Sequence, residues 1–264
     1  MSDDSIARDD PDAATRLANA VRTVASVFGK YKGFPNWGDC FPHHPHQVAG
    51  LSQQAIEKLH ERPALLPCDA LDDEEVYYFF GHAGWTESPE KHLPAAIRYF
   101  LPCLAKHTLP AFVRLTIGCD IPRLIGSHFA KVRWQRWPVL QSDAIRGWLL
   151  AWAEASLRFE HDEWFDKTYT VDEPSANRDP SVVLDLVAKV GLPPPDLRAL
   201  LDDLDESHTV RLAAHVLLSI GLDHADAVAN EWASDMQTQE KLMRAATSNL
   251  PWSELADFLF HRTN

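Results

Sequence analysis

The chain has 264 residues, of which 45% are hydrophobic and 24% are charged. This length fits one large or two small domains, and the composition excludes wholesale disorder, collagen and coiled-coil arrays. No apolar run approaches the roughly 18 residues that a membrane helix needs, and the N-terminus is acidic where a secretory signal would be basic. We therefore expect a globular protein of the cytoplasm with no membrane span.

The formal net charge is −13, from 25 basic and 38 acidic residues, which argues against direct binding to nucleic acid. The charge is uneven along the chain. Residues 1–159 hold 18 acids and 17 bases, whereas residues 160–264 hold 20 acids and 8 bases. An acidic helical surface is most often a solvated face, but a concentrated negative field also speeds the encounter with a positively charged protein. A basic protein partner is therefore expected.

Helical periodicity dominates the chain from its first element. Leu17, Val21, Val24 and Phe28 form one apolar stripe on a helix, and a proline-rich and aromatic loop follows over 33–50. The only run with β-propensity is 111–117. These patterns predict an all-α fold. Further helices are predicted over 52–61, 69–81, 88–107, 121–134, 138–159, 181–190, 196–204, 207–220, 225–233, 238–248 and 252–260.

The predicted helices fall into two regions. Residues 1–159 form an N-terminal helical domain with a tryptophan-rich core, and the polar segment 160–180 is an acidic linker or lid. The short paired helices of 181–264 favour a C-terminal HEAT-like stack, although no exact repeat period is present.

Four cysteines are too few for a disulfide scaffold of this length, and none forms a CxxC pair. They predict buried free thiols in a reducing compartment. The four are Cys40, Cys68, Cys103 and Cys119.

Motifs of catalysis are missing from the sequence. It has no HExxH, no glycine-rich phosphate loop and no Gly-x-Ser-x-Gly elbow. We therefore expect a protein that is not an enzyme and needs no cofactor. The alternative is a metal-dependent hydrolase, since imidazole and carboxylate are metal ligands. Its ligands would come from His43, His44, His46 and the pair His161-Asp162.

Several segments in the middle of the chain resemble a family of uncharacterised all-helical bacterial proteins. Two departures from the family pattern occur: Gly84-Trp85-Thr86 stands in place of Thr-Trp-Gly, and Cys103-Leu104 follows the Phe-Leu-Pro step. These are packing motifs, so the resemblance implies a fold and no reaction. The segments are 71–79, 83–85, 99–102, 134–138 and 144–152, within about a third of the chain.

An acidic, stand-alone helical protein without catalytic residues is also similar to immunity proteins, such as the TsiT-type protein paired with a type VI secreted nuclease effector. The resemblance implies inhibition by binding, and a nuclease must carry basic surface to hold its substrate. The alternative within the binding class is a helical scaffold or adaptor that grips a peptide. The expected partner-binding residues are Asp162, Glu163, Asp166, Asp172, Glu173, Asp202, Asp203, Asp205 and Glu206.

Overall fold

The computed structural model has an all-α fold. Helices account for 82% of the residues that it describes, and no strand occurs among these residues. The expectation from periodicity is thus confirmed. The described residues are 11–31, 68, 76, 80, 89–109, 121–158, 180–218, 225–248 and 253–263.

Ten α-helices and one 3-10 turn lie within the described residues, and the helices lie close to the positions that the periodicity predicts. The helix predicted over 121–134 ends at Phe129, and the 3-10 turn follows it. The predicted loop 33–50, helix 52–61 and β-prone run 111–117 lie outside them, as does most of 69–81. The helices are α1 (Pro11–Phe28), α2 (Pro89–Lys106), α3 (Ile121–Phe129), α4 (Val139–Leu157), α5 (Pro180–Lys189), α6 (Pro194–Asp202), α7 (Glu206–Leu218), α8 (Asp226–Ala233), α9 (Met236–Ala246) and α10 (Ser253–Thr263), and the 3-10 turn is Trp134–Arg136.

The chain forms two compact units, which are residues 17–148 and residues 1–16 with 149–264. The domain boundary near residue 159 stays a prediction, and the proposed linker lies outside the described residues except for its last residue. Among the described helices, none combines the length and the apolar character needed to cross a membrane.

The unit 17–148 is organised around buried aromatic side chains. Phe28 is fully buried, as its position on an apolar stripe predicts, and Trp134 and Trp148 are fully buried in the expected tryptophan-rich core. The indole Nε1 of Trp148 donates to Oγ1 of Thr108 at 3.2 Å, and that hydroxyl donates to the carbonyl of Ala105 at 2.6 Å. This chain of hydrogen bonds satisfies the polar atom of a tryptophan that is otherwise packed in the core.

Two of the four cysteines are paired. Cys68 and Cys103 form a disulfide with their Cα atoms 6.4 Å apart, and both are buried. The expectation of free thiols is wrong for this pair, because tertiary structure joins residues that are 35 positions apart and sequence spacing cannot show this. Cys40 and Cys119 lie outside the described residues.

Helix α7 is central in the unit of residues 1–16 and 149–264, because it contacts α5, α8, α9 and α10. Helix α6 packs on α8, and α9 packs on α10. The HEAT-like stack is not confirmed. Helix α7 also contacts α10, three helices further along the chain.

Gly191 ends helix α5. Its φ of 87° is a left-handed conformation that favours glycine, and the amide of Leu192 donates to the carbonyl of Val187 at 2.9 Å. Pro194 then lies at the first position of α6, where the missing N–H costs no helical hydrogen bond. The short turn fixes the start of α6, which ends at the predicted contact residue Asp202.

Candidate interaction surface

Four of the nine predicted contact acids lie together where α6 ends and α7 begins. Asp202 is the last residue of α6, Asp203 and Asp205 are in the turn, and Glu206 is the first residue of α7. The other predicted acids, Asp162, Glu163, Asp166, Asp172 and Glu173, lie outside the described residues, as do His43, His44, His46 and His161.

Arg198 holds a cluster of three carboxylates, which we call the Arg198 cluster. Its Nε lies 2.8 Å from Oδ1 of Asp202, one turn along α6. Its Nη2 lies 2.8 Å from Oδ2 of Asp235, and its Nη1 lies 3.8 Å from Oε1 of Glu231. The Arg198 side chain is 24% exposed, and the planar fork of its guanidinium suits several carboxylates at once. The cluster has one positive and three negative charges, so it keeps an excess of negative charge.

Asp235 belongs to this site, although sequence analysis did not find it. It is the N-cap of α9, where Oδ1 accepts from the amide of Gln237 at 2.8 Å. The Arg198 guanidinium and then the Gln237 amide hold the pKa of Asp235 below its ordinary value, because both stabilise the charged form. The carboxylate is therefore fixed in place and ionised.

The turn between α6 and α7 has its own set of partners, which we call the turn cluster. Asp203 forms an ion pair with Arg158, and Oε1 of Glu206 accepts from Nε of Arg244 at 2.6 Å. The Nζ of Lys241 donates to the carbonyls of Asp202 at 2.7 Å and Leu204. Burial lowers the pKa of Lys241, although nearby carboxylates oppose this shift. The predicted acids are thus held by cations of their own chain.

Asp205 is the N-cap of α7. Its Oδ1 accepts from the amide of His208 at 2.9 Å, and its Oδ2 lies 2.8 Å from Nδ1 of the same residue. The contact with the His208 side chain, together with its amide, lowers the pKa of Asp205 to about 2, while burial opposes the shift. The carboxylate is therefore charged at all but very acid pH.

We expect Asp205→Ala to lower the free energy of unfolding by about 1 kcal/mol near neutral pH, the typical effect of losing an N-cap. An unfolded aspartate titrates near pH 4 and the folded one near pH 2, so the charged cap stabilises the protein above about pH 4. This contribution is lost as the pH falls from about 4 to about 2. Urea unfolding of both proteins across this range measures the difference.

The control for this prediction is Asp257→Ala on α10. Asp257 is 64% exposed and lies 3.5 Å from Nε2 of His261, in the interior of a helix where it caps nothing. We expect a change within about 0.5 kcal/mol, as for most surface positions. A loss for Asp205→Ala that stays constant from neutral pH to about pH 2 contradicts the prediction.

An open pocket of about 390 Å³ lies between the start of α7 and helix α9. Two carboxylates and two cations line it, so the pocket favours neither an anion nor a cation. Within the described part of the chain, no group of three or more His, Cys, Asp or Glu side chains is arranged to hold a metal ion. The lining residues are Asp205, Glu206, Ser207, Lys241 and Arg244.

The two clusters lie in the more acidic unit of the protein. Residues 1–16 with 149–264 contain 26 acids and 11 bases, a formal charge of −15, whereas residues 17–148 contain 12 acids and 14 bases, a charge of +2. Several of the clustered carboxylates still face solvent, since Asp203 is 75% exposed and Glu231 is 81% exposed. The arrangement presents fixed carboxylates to a partner of opposite charge.

Comparisons of the chain with protein-family models, curated proteins and solved structures find no match.

Proposed function

We propose that this protein is an immunity protein, which binds an antibacterial toxin and neutralises it. The toxin is a secreted nuclease effector of type VI secretion whose basic substrate groove is covered by the acidic surface. The observation that carries this proposal is the charge of −15 on the unit with the Arg198 and turn clusters. A nuclease presents basic side chains to the phosphates of its substrate, so such a surface competes with nucleic acid for the same groove.

The held carboxylates suit this role. An exposed acidic side chain usually loses rotamer freedom when it binds, and this loss weakens binding. Arg198 and Arg158 already restrict Asp202, Asp235 and Asp203 before the partner arrives. The clusters also carry more acids than bases, so their excess charge attracts a basic surface at long range.

The proposal places the protein in the cytoplasm, where a nuclease toxin meets its nucleic-acid substrate. Inhibition requires no catalytic residue and no cofactor, because one bound molecule blocks one toxin.

The experiment is a titration of a purified basic nuclease, encoded beside the gene of this protein, with the protein itself. We expect nuclease activity to fall linearly to zero near equimolar ratio, and association to slow when NaCl is raised from about 50 mM to about 500 mM. The variant Asp203→Lys with Glu231→Lys is expected to lower the association rate constant at least about tenfold, because both side chains are exposed and belong to the clusters.

The matched control is Glu254→Lys with Asp257→Lys on α10, which changes the net charge equally at exposed acids outside the two clusters. We expect its association rate to stay within about threefold of the wild type. If both variants lower the association rate constant equally, the attraction depends on net charge and not on the two clusters. Failure to inhibit, or binding that tolerates high salt, contradicts the proposal, and salt-tolerant binding favours the helical adaptor.

A further inference from the structure

A basic and apolar surface lies on the other unit, in the 3-10 turn and the first turn of α4. Arg133 and Arg136 are exposed, and among the described residues neither side chain forms a hydrogen bond or an ion pair. Val139 and Leu140 follow with 72% and 76% of their surface exposed. Arg136 and Val139 are three residues apart, and three residues of chain span at most about 11 Å, so a charged side chain and the apolar pair lie on one short stretch of chain. Arg133 lies one 3-10 turn before Arg136.

The two arginines bracket the 3-10 turn, with Arg133 as its N-cap and Arg136 as its last residue. The amide of Arg136 donates to the carbonyl of Arg133 at 2.9 Å, so the turn holds the two backbones close together. The surrounding sequence is basic, because residues 98–146 contain eight bases and two acids in a chain whose net charge is −13. This is a local charge opposite to that of the whole protein.

The position of these arginines is unfavourable for the isolated protein. They precede α4, a helix of 19 residues with no acid in its first turn, and the N-terminal end of a helix carries partial positive charge. Asp143, in the second turn, is the nearest described acid along the chain, and Arg146 follows it. An anionic group near these residues would be attracted by both guanidinium groups and by the partial positive charge at the helix end.

We propose that Arg133, Arg136, Val139 and Leu140 form a docking surface for an acidic segment of a partner protein, in which carboxylates flank an apolar side chain. Charge complementarity selects the carboxylates, and the exposed pair of aliphatic side chains selects the apolar residue. This surface lies outside the acidic clusters, so the partner that docks here makes a contact separate from the one proposed for a basic toxin.

A nucleic acid fits this surface less well, although tryptophans alternate with the basic residues. Trp134 is buried, and the guanidinium of Arg98 covers one face of Trp137 at 3.8 Å from the ring centroid. These rings therefore offer little area for stacking of bases. The net charge of −13 also repels a polyanion at long range, whereas a short acidic segment meets mainly the local field.

The test selects peptides that bind the full-length protein from a phage-displayed library of random sequences. The peptides are about 12 residues long, which is enough to cover this short patch. Clones are enriched on the wild type alone, so that the variant Arg133→Glu with Arg136→Glu remains an independent test. We expect one class of enriched peptides to carry two or more acids beside an apolar residue, and their affinity to fall at least about tenfold in that variant. The variant Val139→Ser with Leu140→Ser is expected to weaken binding about fivefold or more.

The control Arg22→Glu with Lys189→Glu makes the same change in net charge at exposed positions elsewhere and is expected to leave the affinity within about twofold. Thermal unfolding checks the fold, and the midpoint for Arg133→Glu with Arg136→Glu should equal or exceed that of the wild type, because acids suit this end of a helix.

Four outcomes would overturn the proposal. The first is that no acidic peptide is enriched, and the second is that the control variant weakens binding as much as the arginine variant. The third is that a short DNA duplex or a phosphatidylserine vesicle binds through the same arginines more tightly than the peptides do. The fourth is that the wild type self-associates in analytical ultracentrifugation and the variant Arg133→Glu with Arg136→Glu does not. The partner at this surface would then be a second copy of the chain.

Discussion

Replacing Trp148 with alanine is expected to lower the free energy of unfolding by about 3–5 kcal/mol, the range for truncating a large buried aromatic side chain. The Trp148 side chain is fully buried. Its ring centroid lies 6.4 Å from that of Phe129, and its Nε1 donates to Oγ1 of Thr108. The substitution removes this packing and leaves a cavity between the end of α2 and helix α4. Urea unfolding followed by circular dichroism measures the change.

Two further variants separate packing from hydrogen bonding. Trp148→Phe keeps most of the aromatic packing and loses the donor to Thr108, so we expect a loss of about 1–2 kcal/mol. Leu140→Ala truncates a side chain of the same helix that is 76% exposed, and we expect a change within about 0.5 kcal/mol. A loss below about 1 kcal/mol for Trp148→Ala would contradict its place in the core.

The helices could be predicted because their signals are local. Helix α4 was expected over 138–159 and spans Val139–Leu157, since its apolar stripe and the proline before it determine the element within a few neighbouring residues. Gly191 marked the end of α5 in the same way. The packing of α7 against α10 could not be predicted, because it depends on contacts between residues far apart in sequence.

The candidate site was predicted only in part for the same reason. Arg198 and Asp202 are four residues apart on one helix, which is a pattern that sequence shows. Asp235 lies 37 residues from Arg198, and only the packing of the helices brings its carboxylate to the guanidinium. Its role as the N-cap of α9 was a local signal that could have drawn attention to it.

The basic surface was missed for a different reason. Averaging the charge over residues 1–159 gives −1, which conceals eight bases and two acids in residues 98–146. A count in shorter windows would have revealed the excess. A count of charges could not have predicted the exposure of Val139 and Leu140. Both residues would also suit a buried helical face, so the sequence does not show that they face solvent.

Replacing Arg198 with methionine is expected to lower the free energy of unfolding by about 1–2 kcal/mol near neutral pH, as for an ion-pair network that is partly exposed. Methionine keeps the length and apolar stem of the side chain, so the loss reports mainly on charge and hydrogen bonding. Without the guanidinium, the carboxylates of Asp202, Glu231 and Asp235 repel one another.

The pH dependence identifies the cause of this loss. Arg198 holds the pKa of Asp235 below its ordinary value, so the ion pair stabilises the folded protein above about pH 4 and this contribution is lost in acid. The difference between wild type and variant should therefore shrink below about pH 4 and also in high salt. A difference that is independent of pH and salt would indicate lost packing instead.

The matched control is Arg244→Met, because Arg244 is 54% exposed and pairs with Glu206 alone among the described carboxylates. We expect a loss of no more than about 0.5 kcal/mol for this exposed pair.

Arg198→Met also tests what the clusters contribute to the proposed binding. The variant is more negative by one charge, so net charge alone predicts faster association with a basic nuclease. If Arg198 positions Asp202 and Asp235 for contact, the freed carboxylates must be ordered on binding, and the complex should dissociate faster. We expect a dissociation rate constant at least about fivefold higher, with an association rate constant equal to or above that of the wild type. Unchanged dissociation would mean that the surface acts by its charge and not by the fixed positions of its carboxylates.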